Sequence, residues 1–309
     1  PVPGLPNMIW MISPPNLAPA GLLRRYQAVF CGSFALTGLM RKAGIGADYL
    51  PQATELAQFH PDRRPTGAPD LPLIFVGGYD TGRVDRWLVI EAARAGLEPQ
   101  IWGPGWQGVV PDRLWRGPHL SYDQLAETYA TARVVLNSHM ANMAAMGFMS
   151  NRSYDALASG AQVISDQVLG FADADLPDLR QVPDAAGLQA ALHEMLAGPA
   201  PDREARWARH HRLAARHGFG ARARQILDRA AKLLAQGAVA PTAMQSVMQT
   251  GAAARRRAPV VLTDPAQSAE AVLPAMRAAA TEMLAIARHM AQPEAPPLPA
   301  PPPAARQGV

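Results

Sequence analysis

Short apolar runs alternate with amphipathic segments between residues 73 and 165, and this alternation limits the possible folds more than any other feature of the chain. Strands separated by helices at this spacing predict a parallel, doubly wound α/β sheet. The predicted strands and helices, in chain order, are Leu73–Val76, Arg83–Ala95, Pro99–Trp102, Tyr122–Ala132, Val134–Asn137, Ser150–Ala158 and Gln162–Ser165. Because ligands bind such sheets beyond the carboxyl ends of the strands, we expect a site after Val76, Asn137 and Ser165.

A second α/β unit precedes this one. Met8–Ile12 and Ala28–Cys31 have the apolar character of buried strands, while Leu22–Tyr26 and Phe34–Ala43 have helical spacing. We therefore expect residues 1–60 to be the end of a second Rossmann-like domain whose beginning is absent from this chain.

Proline content and composition predict the remaining boundaries. Residues 61–72 contain four prolines among charged residues, which is typical of an interdomain linker. Residues 73–200 are expected to form the main ligand-binding domain, and residues 201–236 its closing helices, including one helical stretch over Arg203–Ala235. Residues 237–309 form a tail rich in Ala and Pro.

The tail contains one segment with a regular apolar pattern, within residues 265–291. Apolar side chains recur there at alternating spacings of three and four residues, at Leu273, Met276, Ala280, Met283, Ala287 and Met290. This spacing predicts a short amphipathic helix that could associate with a second copy or with a partner. The alternative is a marginal helix docked on its own chain.

Composition excludes several classes of function. The net charge of +4 is spread along the chain and gives no footprint for nucleic acid. No stretch approaches the roughly 18 apolar residues that a membrane-spanning helix needs. The single cysteine, Cys31, excludes a disulfide framework or a Cys-rich zinc site, and we expect a buried thiol in a cytoplasmic protein.

The histidines show no spacing typical of a metal site, so we expect neither a metal nor another cofactor. His210, His211 and His217 are expected on helix surfaces.

The first candidate site follows the strand Leu73–Val76. Gly77 and Gly78 would let a ligand approach the backbone closely, and Arg83 and Arg86 fall in the first turn of the next predicted helix. Cations are unfavourable at a helix N-terminus, so a bound phosphate would explain them. The alternative is an ordinary strand-to-helix turn with solvated arginines. Neither a dinucleotide fingerprint nor a phosphate-binding P-loop is present.

The second candidate site is the start of the helix over Ser150–Ala158. Ser150 is a suitable N-cap residue, and it would place Asn151 and Arg152 at a helix N-terminus that favours an anion. Asp155 lies one turn later, where its carboxylate could accept hydrogen bonds from a ribose diol. The alternative is a weak ion pair between Arg152 and Asp155 within the helix.

Further candidates lie at neighbouring strand ends. Asn137 and His139 follow the strand Val134–Asn137, and His139 could contact a ligand there. Trp102, Trp106 and Trp115 flank a Gly/Pro loop and could stack on a base or sugar, although core packing is the favoured alternative.

The segment from Asn151 to Asp166, with sequence NRSYDALASGAQVISD, resembles the donor-site helix and following strand of group-1 glycosyltransferases. It is similar in particular to the branch of spore-maturation CgeB-type proteins. The resemblance implies a GT-B fold, in which two Rossmann-like domains face a cleft and a nucleoside diphosphate sugar is held by the C-terminal one. It implies Asp155 at the ribose, in place of the usual Glu, and Arg83 and Arg152 at the diphosphate.

The chain departs from this family at one position. Relatives with two acids spaced Glu-x7-Glu carry the first where this chain has Gly147. The catalytic residues and the acceptor therefore stay unknown. A nucleotide-binding module without transfer activity is the alternative function, and a non-hydrolysing sugar-nucleotide epimerase is a third, for which we identify no suitable acids.

Overall fold

Parallel strand pairing organises the structure, a computed structural model that describes residues 6–13, 20–80 and 86–236. The strands are β1 (Met8–Met11), β2 (Ala28–Cys31), β3 (Ala47–Tyr49), β4 (Leu71–Val76), β5 (Gln100–Trp102), β6 (Trp115–Gly117), β7 (Ala132–Asn137), β8 (Gln162–Ser165) and β9 (Leu179–Gln181). The helices are α1 (Ala20–Leu23), α2 (Phe34–Lys42), α3 (Trp87–Arg94), α4 (Tyr122–Thr131), α5 (Ala141–Ala145), α6 (Asn151–Ala158), α7 (Ala185–Ala197), α8 (Arg203–His217) and α9 (Phe219–Ala235). Apart from Ala20, the described residues belong to one compact unit.

Two parallel sheets are formed. The first has the strand order β1-β2-β3 and the second has the order β6-β5-β4-β7-β8-β9. In the second sheet β4 pairs with both β5 and β7, so the strand order reverses there. The predicted doubly wound parallel sheet is thus confirmed, and the carboxyl ends of β4, β7 and β8 lie at its ligand-binding edge.

Apolar side chains cover both faces of the six-stranded sheet. Tyr129 on α4, Tyr154 on α6 and Leu213 on α8 pack in the core on one face. Trp106 is fully buried with Leu88 and Leu192 in the core that includes α3 and α7. These layers fix the helices that carry the site residues.

The predicted burial of the cysteine is also confirmed. Cys31 is fully buried in β2, and this burial raises the pKa of its thiol.

Three strands escape the sequence prediction because each is short and has a charged residue at its centre. β3, β6 and β9 have three residues each. The helix expected over Arg203–Ala235 is interrupted at Gly218, where the backbone is extended and forms a parallel bridge with Thr54. That bridge joins the start of α9 to the segment that crosses between the two sheets.

Arg222 of α9 holds this crossing segment in place. Its buried guanidinium donates to three backbone carbonyls, those of Pro51 at 2.7 Å, Gln52 at 3.0 Å and Arg216 at 2.9 Å. Residues 61–72, predicted as a linker, begin with a 3₁₀ turn whose Asp62 pairs with Arg203 at 2.7 Å. The crossing is thus bound to the closing helices by polar contacts on both sides.

The expectation that the α8 histidines lie on the surface is wrong for two of the three. His210 and His217 are buried, while His211 is exposed. The Nδ1 atom of His210 lies 2.7 Å from the backbone oxygen of Ala158, because α8 packs directly against α6. Burial lowers the pKa of both buried histidines.

Two further expectations concern membranes and the tail. None of the helices within the described ranges is long and apolar enough to cross a membrane. The tail over residues 237–309, including the helix expected within 265–291, lies outside the described residues.

Replacing Arg222 with methionine should destabilise the protein. The substitution keeps much of the apolar stem but leaves three carbonyls without their donor, which should lower the free energy of unfolding by about 3 kcal/mol. Urea denaturation measures the change, with Arg224→Met on the exposed side of the same helix as the control. Equal effects of the two substitutions would show that the Arg222 contacts do not stabilise the crossing.

Candidate functional site

The turn after β4 contains two glycines, and other residues approach both of them closely. The N–H of Gly77 donates to the carbonyl of Trp102 at 2.8 Å, and its own carbonyl accepts from Trp106 Nε1 at 2.8 Å. A Cβ on Gly77 would overlap the guanidinium of Arg152, while a Cβ on Gly78 would lie 3.2 Å from the Pro104 ring. Glycine at position 77 therefore lets an arginine approach the backbone closely.

Two arginines converge on this turn. Their guanidinium carbons lie 5.5 Å (Arg86) and 5.8 Å (Arg152) from the centroid of the buried Phe75 ring. Arg152 Nη1 donates to the carbonyl of Val76 at 2.7 Å, and Arg86 donates to the carbonyls of Gly78 and Ser138. Neither has a carboxylate ion-pair partner within the described ranges, so positive charge accumulates at the edge of the sheet.

The electrostatics of Arg86 reflect this accumulation. Its pKa is lowered to about 10, first by burial and then by the nearby charge of Arg152, while Asp166 acts in the opposite direction. At neutral pH the guanidinium is still charged. Bringing an anion to the turn would offset the repulsion between the two arginines.

The sequence analysis named Arg86 together with Arg83 at the first candidate site, and in the structure Arg86 lies at the turn after β4. Arg83 itself lies outside the described residues.

The predicted N-cap of α6 is confirmed. Ser150 Oγ accepts from the backbone N–H of Arg152 at 3.3 Å and from its Nε at 3.2 Å. The N–H of Ser150 donates to His139 Nε2 at 3.0 Å. One donor of this helix end is therefore already used by a side chain of the neighbouring loop.

His139 has both ring nitrogens engaged. Its Nδ1 lies 2.5 Å from Asp166 Oδ1, its backbone N–H donates to Asp166 Oδ2 at 2.7 Å, and its side chain is only 2% exposed. Since Nε2 is an acceptor, the ring hydrogen lies on Nδ1. His139 thus connects β8 to the start of α6 and has no free nitrogen for a ligand.

Asp166, which the sequence analysis did not single out as a site residue, is the centre of this connection. The only signal for it in the sequence is an acid directly after an apolar strand.

Asn137 is buried at the end of β7. Its Nδ2 donates to Ser165 Oγ at 3.2 Å, while its Oδ1 is buried without a hydrogen-bond partner among the described atoms. An unpaired buried acceptor is uncommon in folded proteins and is a feature of functional sites. It makes Asn137 the one predicted side chain at this strand end with hydrogen-bonding capacity to spare.

Asp155 is buried, with 6% of its surface exposed. Its Oδ1 accepts from Thr54 Oγ1 at 2.7 Å and its Oδ2 from Asn151 Nδ2 at 3.4 Å. Burial raises the pKa of Asp155 to about 7, against the hydrogen bond from Thr54 and the charge of Arg152. Arg152 points instead toward Val76, and no ion pair between Arg152 and Asp155 is present among the described side chains.

Gly147 has a conformation that excludes a side chain. Its φ is +78°, and a Cβ there would lie 2.7 Å from both the Leu169 carbonyl oxygen and Ser33 Oγ. The position where relatives carry the first acid of the pair is thus closed by backbone geometry and not only by sequence.

The remaining candidates belong mainly to the framework. Trp106 is fully buried and Trp115 Nε1 donates to the carbonyl of Gly103 at 2.8 Å, while Trp102 is half-buried. Within the described ranges, no three His, Cys, Asp or Glu residues come together as a group that could hold a metal ion.

Comparison with known proteins finds one family match. Residues 83–228, slightly less than half of the chain, are similar to the family described as glycosyl transferase-like. No curated protein sequence matches the chain.

Solved structures show the same fold at low sequence identity. The sucrose-phosphate synthase of Thermosynechococcus elongatus is 22% identical with a TM-score of 0.52, and the match covers 71% of this chain and 61% of the synthase. A glycosyltransferase from Rickettsia africae is 13% identical with a TM-score of 0.51, over 74% of this chain and 70% of that one. Anabaena HepE, solved with UDP and glucose, is 11% identical with a TM-score of 0.51, over 72% and 70%.

Together these likenesses show the GT-B, Rossmann-like α/β fold that the resemblance implied. The chain spans less than two thirds of the synthase.

Gly147→Ala should destabilise the protein more than Gly44→Ala. Gly44 also has a positive φ, of +74°, but a Cβ there meets no atom within 4 Å. Both substitutions carry the cost of a left-handed alanine, about 1–2 kcal/mol, and only Gly147→Ala adds overlap with a backbone carbonyl. We expect urea denaturation to show an additional loss of about 1–3 kcal/mol at position 147. Equal losses would contradict the steric closure of this position.

Asp155→Asn should stabilise the protein at alkaline pH. A carboxyl group whose pKa is raised in the folded state disfavours folding increasingly as the pH rises from its unfolded pKa to its folded one, here about 7. The neutral variant should therefore have the higher free energy of unfolding at pH 8, by about 4 kcal/mol, and the difference should shrink toward pH 4. Thermal or urea unfolding at both pH values measures it, with exposed Asp228→Asn as the control. A difference independent of pH would refute the burial of a carboxylate here.

Proposed function

We propose that this chain is the donor-binding part of a glycosyltransferase that moves a sugar from a nucleoside diphosphate sugar to an acceptor. The observation that carries the proposal is the pair of arginines, Arg86 and Arg152, at the end of β4, where no described carboxylate pairs with them. A diphosphate supplies the negative charge that this pair lacks, and strand ends of doubly wound sheets are where such ligands bind.

In this proposal the predicted residues divide into two groups. Gly77 and Gly78 let the diphosphate approach the backbone, Arg152 and Arg83 neutralise it, and Asp155 accepts hydrogen bonds from the ribose. Asn137, His139, Ser150 and Asn151 shape the site between β7 and α6. Of these four, His139 acts through Ser150 rather than by direct contact, since both its ring nitrogens have partners.

The chemistry assigned to the arginines is stabilisation of the leaving nucleoside diphosphate. Negative charge develops on the diphosphate as the bond to the sugar breaks, and fixed cations lower the barrier most when they are already in place. Losing one such contact typically raises the barrier by about 2.7–4 kcal/mol. The acid or base that activates the acceptor is not assigned to any residue of this chain.

The second candidate function is a nucleotide-binding module without transfer activity. The closed position at Gly147 favours it, because a two-acid arrangement of the Glu-x7-Glu kind has no place there. Release of free nucleoside diphosphate from a donor sugar discriminates the two functions.

Three finer assignments belong to the same proposal. Arg152, three residues before Asp155, supports the CgeB-type branch. The single cysteine, Cys31, which is free and buried, supports a cytoplasmic protein. The separation of the strands into two sheets, one before and one after the crossing segment, supports the division into residues 1–60, a linker over 61–72, a donor domain over 73–200 and closing helices over 201–236.

Calorimetric titration with UDP, GDP, ADP and CMP tests the proposal. HepE was solved with UDP, which makes UDP the first ligand to try. We expect one diphosphate to bind the full chain at micromolar affinity. Arg152→Met and Asp155→Ala should each weaken it at least tenfold, about 1.4 kcal/mol, by removing a charge from the diphosphate site or the ribose acceptor.

Arg133→Met is the matched control for the arginine. Arg133 is also half-buried and also donates to backbone carbonyls, those of Met195, Leu196 and Gly198, but it lies at the opposite end of β7. Its substitution should leave the affinity unchanged. If none of the four nucleotides binds, the proposed function is wrong.

A further inference from the structure

Thr54 is fixed in the crossing segment by its backbone. Its side chain is fully buried, its N–H donates to the carbonyl of His217 at 3.0 Å, and its carbonyl accepts from the N–H of Phe219 at 3.1 Å. Arg222 holds the carbonyls of Pro51 and Gln52 just before it. The position of Thr54 is therefore set without any contribution from its hydroxyl.

Within the described part of the chain, the hydroxyl makes one hydrogen bond, and its acceptor is Asp155. Thr54 Oγ1 donates to Asp155 Oδ1 at 2.7 Å across 101 residues of sequence. The other described donor to this carboxylate, Asn151 Nδ2, donates to Oδ2 at 3.4 Å. This second hydrogen bond is the weaker one because it is longer. Thr54 is thus the principal hydrogen-bond donor to a carboxylate that is almost fully removed from water.

We propose that Thr54 is a positioning residue for the donor site, whose hydroxyl orients the Asp155 carboxylate and keeps it a pure acceptor for the ribose diol. This inference rests on the proposed function, since it assigns Thr54 a role in the same site. A carboxyl group that carries a proton has one oxygen that donates, and it then no longer offers two acceptor oxygens to a diol. A donor aimed at the carboxylate opposes that protonation, which burial otherwise favours.

The groups around Asp155 make its ionisation the main source of a pH response above neutrality. Tyr122, Tyr129 and Arg152 are the titratable groups coupled electrostatically to Asp155. Glu55 follows Thr54 in the chain, and His210 and His217 lie on α8, which packs against α6. Burial raises the pKa of both tyrosines and lowers that of both histidines, so these four are uncharged between pH 7 and 9. Arg152 is positively charged at neutral pH, and the exposed carboxylate of Glu55 accepts from the N–H of Ala57.

The experiment is a titration of the full chain with UDP, GDP and ADP, followed by a pH series from 6.5 to 9 with whichever binds most tightly. The variants are Thr54→Val, which removes the hydroxyl at nearly constant shape, Thr54→Ser, which retains it, and Asp155→Asn. Thr131→Val is the matched control, because the hydroxyl of Thr131 donates to the carbonyl of Glu127 within α4. Circular dichroism and urea denaturation establish that each variant is folded, and Thr54→Ala replaces Thr54→Val if that variant is not.

We expect the affinity of the unaltered protein to rise between pH 6.5 and 8 as Asp155 ionises. Thr54→Val should bind about fivefold more weakly at pH 7 and approach the unaltered protein at pH 9, with the midpoint moved up by about one pH unit. Thr54→Ser should follow the unaltered protein, and Thr131→Val should match it at every pH.

Other results would overturn the inference. A loss for Thr54→Val that is equal at every pH would show that the hydroxyl has only a structural role. A Thr54→Val profile identical to that of the unaltered protein, with Asp155→Asn impaired, would refute the role of Thr54 and leave the proposed function standing. If the unaltered protein binds no diphosphate, the proposed function fails, and this inference fails with it.

Discussion

The hydrogen bond from Arg152 Nη1 to the carbonyl of Val76 is the interaction on which the site depends. It joins the first turn of α6 to the end of β4 across 76 residues of sequence, and the turn accepts the guanidinium only because position 77 is glycine. The same contact turns Arg152 away from Asp155. The basic part of the site at β4 and the acidic part in α6 therefore stay separate and do not neutralise each other.

This separation has an electrostatic cost. Arg86 and Arg152 repel each other near Phe75, and Asp155 is held in a place where burial disfavours its charge. Arrangements that lower the stability of the free protein are typical of sites whose ligand supplies the missing charges or donors. The two groups need opposite partners, and a nucleoside diphosphate offers both, an anion for the arginines and hydroxyl donors for the carboxylate.

Much of the fold could be predicted from the sequence because its signals are local. The strand β8 has the predicted bounds, and Ser150 begins α6 as the N-cap rule requires. The short strands β3, β6 and β9 could not be predicted, since each has a charged residue at its centre, whereas β5, of the same length, has Ile101 there. The site residues, like the fold, were predictable where their signal is local. The glycine turn and the α6 motif are visible in a short window, whereas the contacts of His139 with Asp166 and of Thr54 with Asp155 exist only after folding.

Gly147 is constrained both by its own backbone conformation and by the residues packed around it. Its positive φ and its contact with the Leu169 carbonyl mean that an acid there would require the loop after β8 to move. Leu169 belongs to that loop, and Ser33 is the N-cap of α2 beside the first sheet. Position 147 is therefore enclosed by residues from both sheets. The packing between the two sheets thus leaves no room for an acidic side chain at position 147. In the proposed function, stabilisation of the departing diphosphate then falls to Arg86 and Arg152, because no acid at position 147 can share in it.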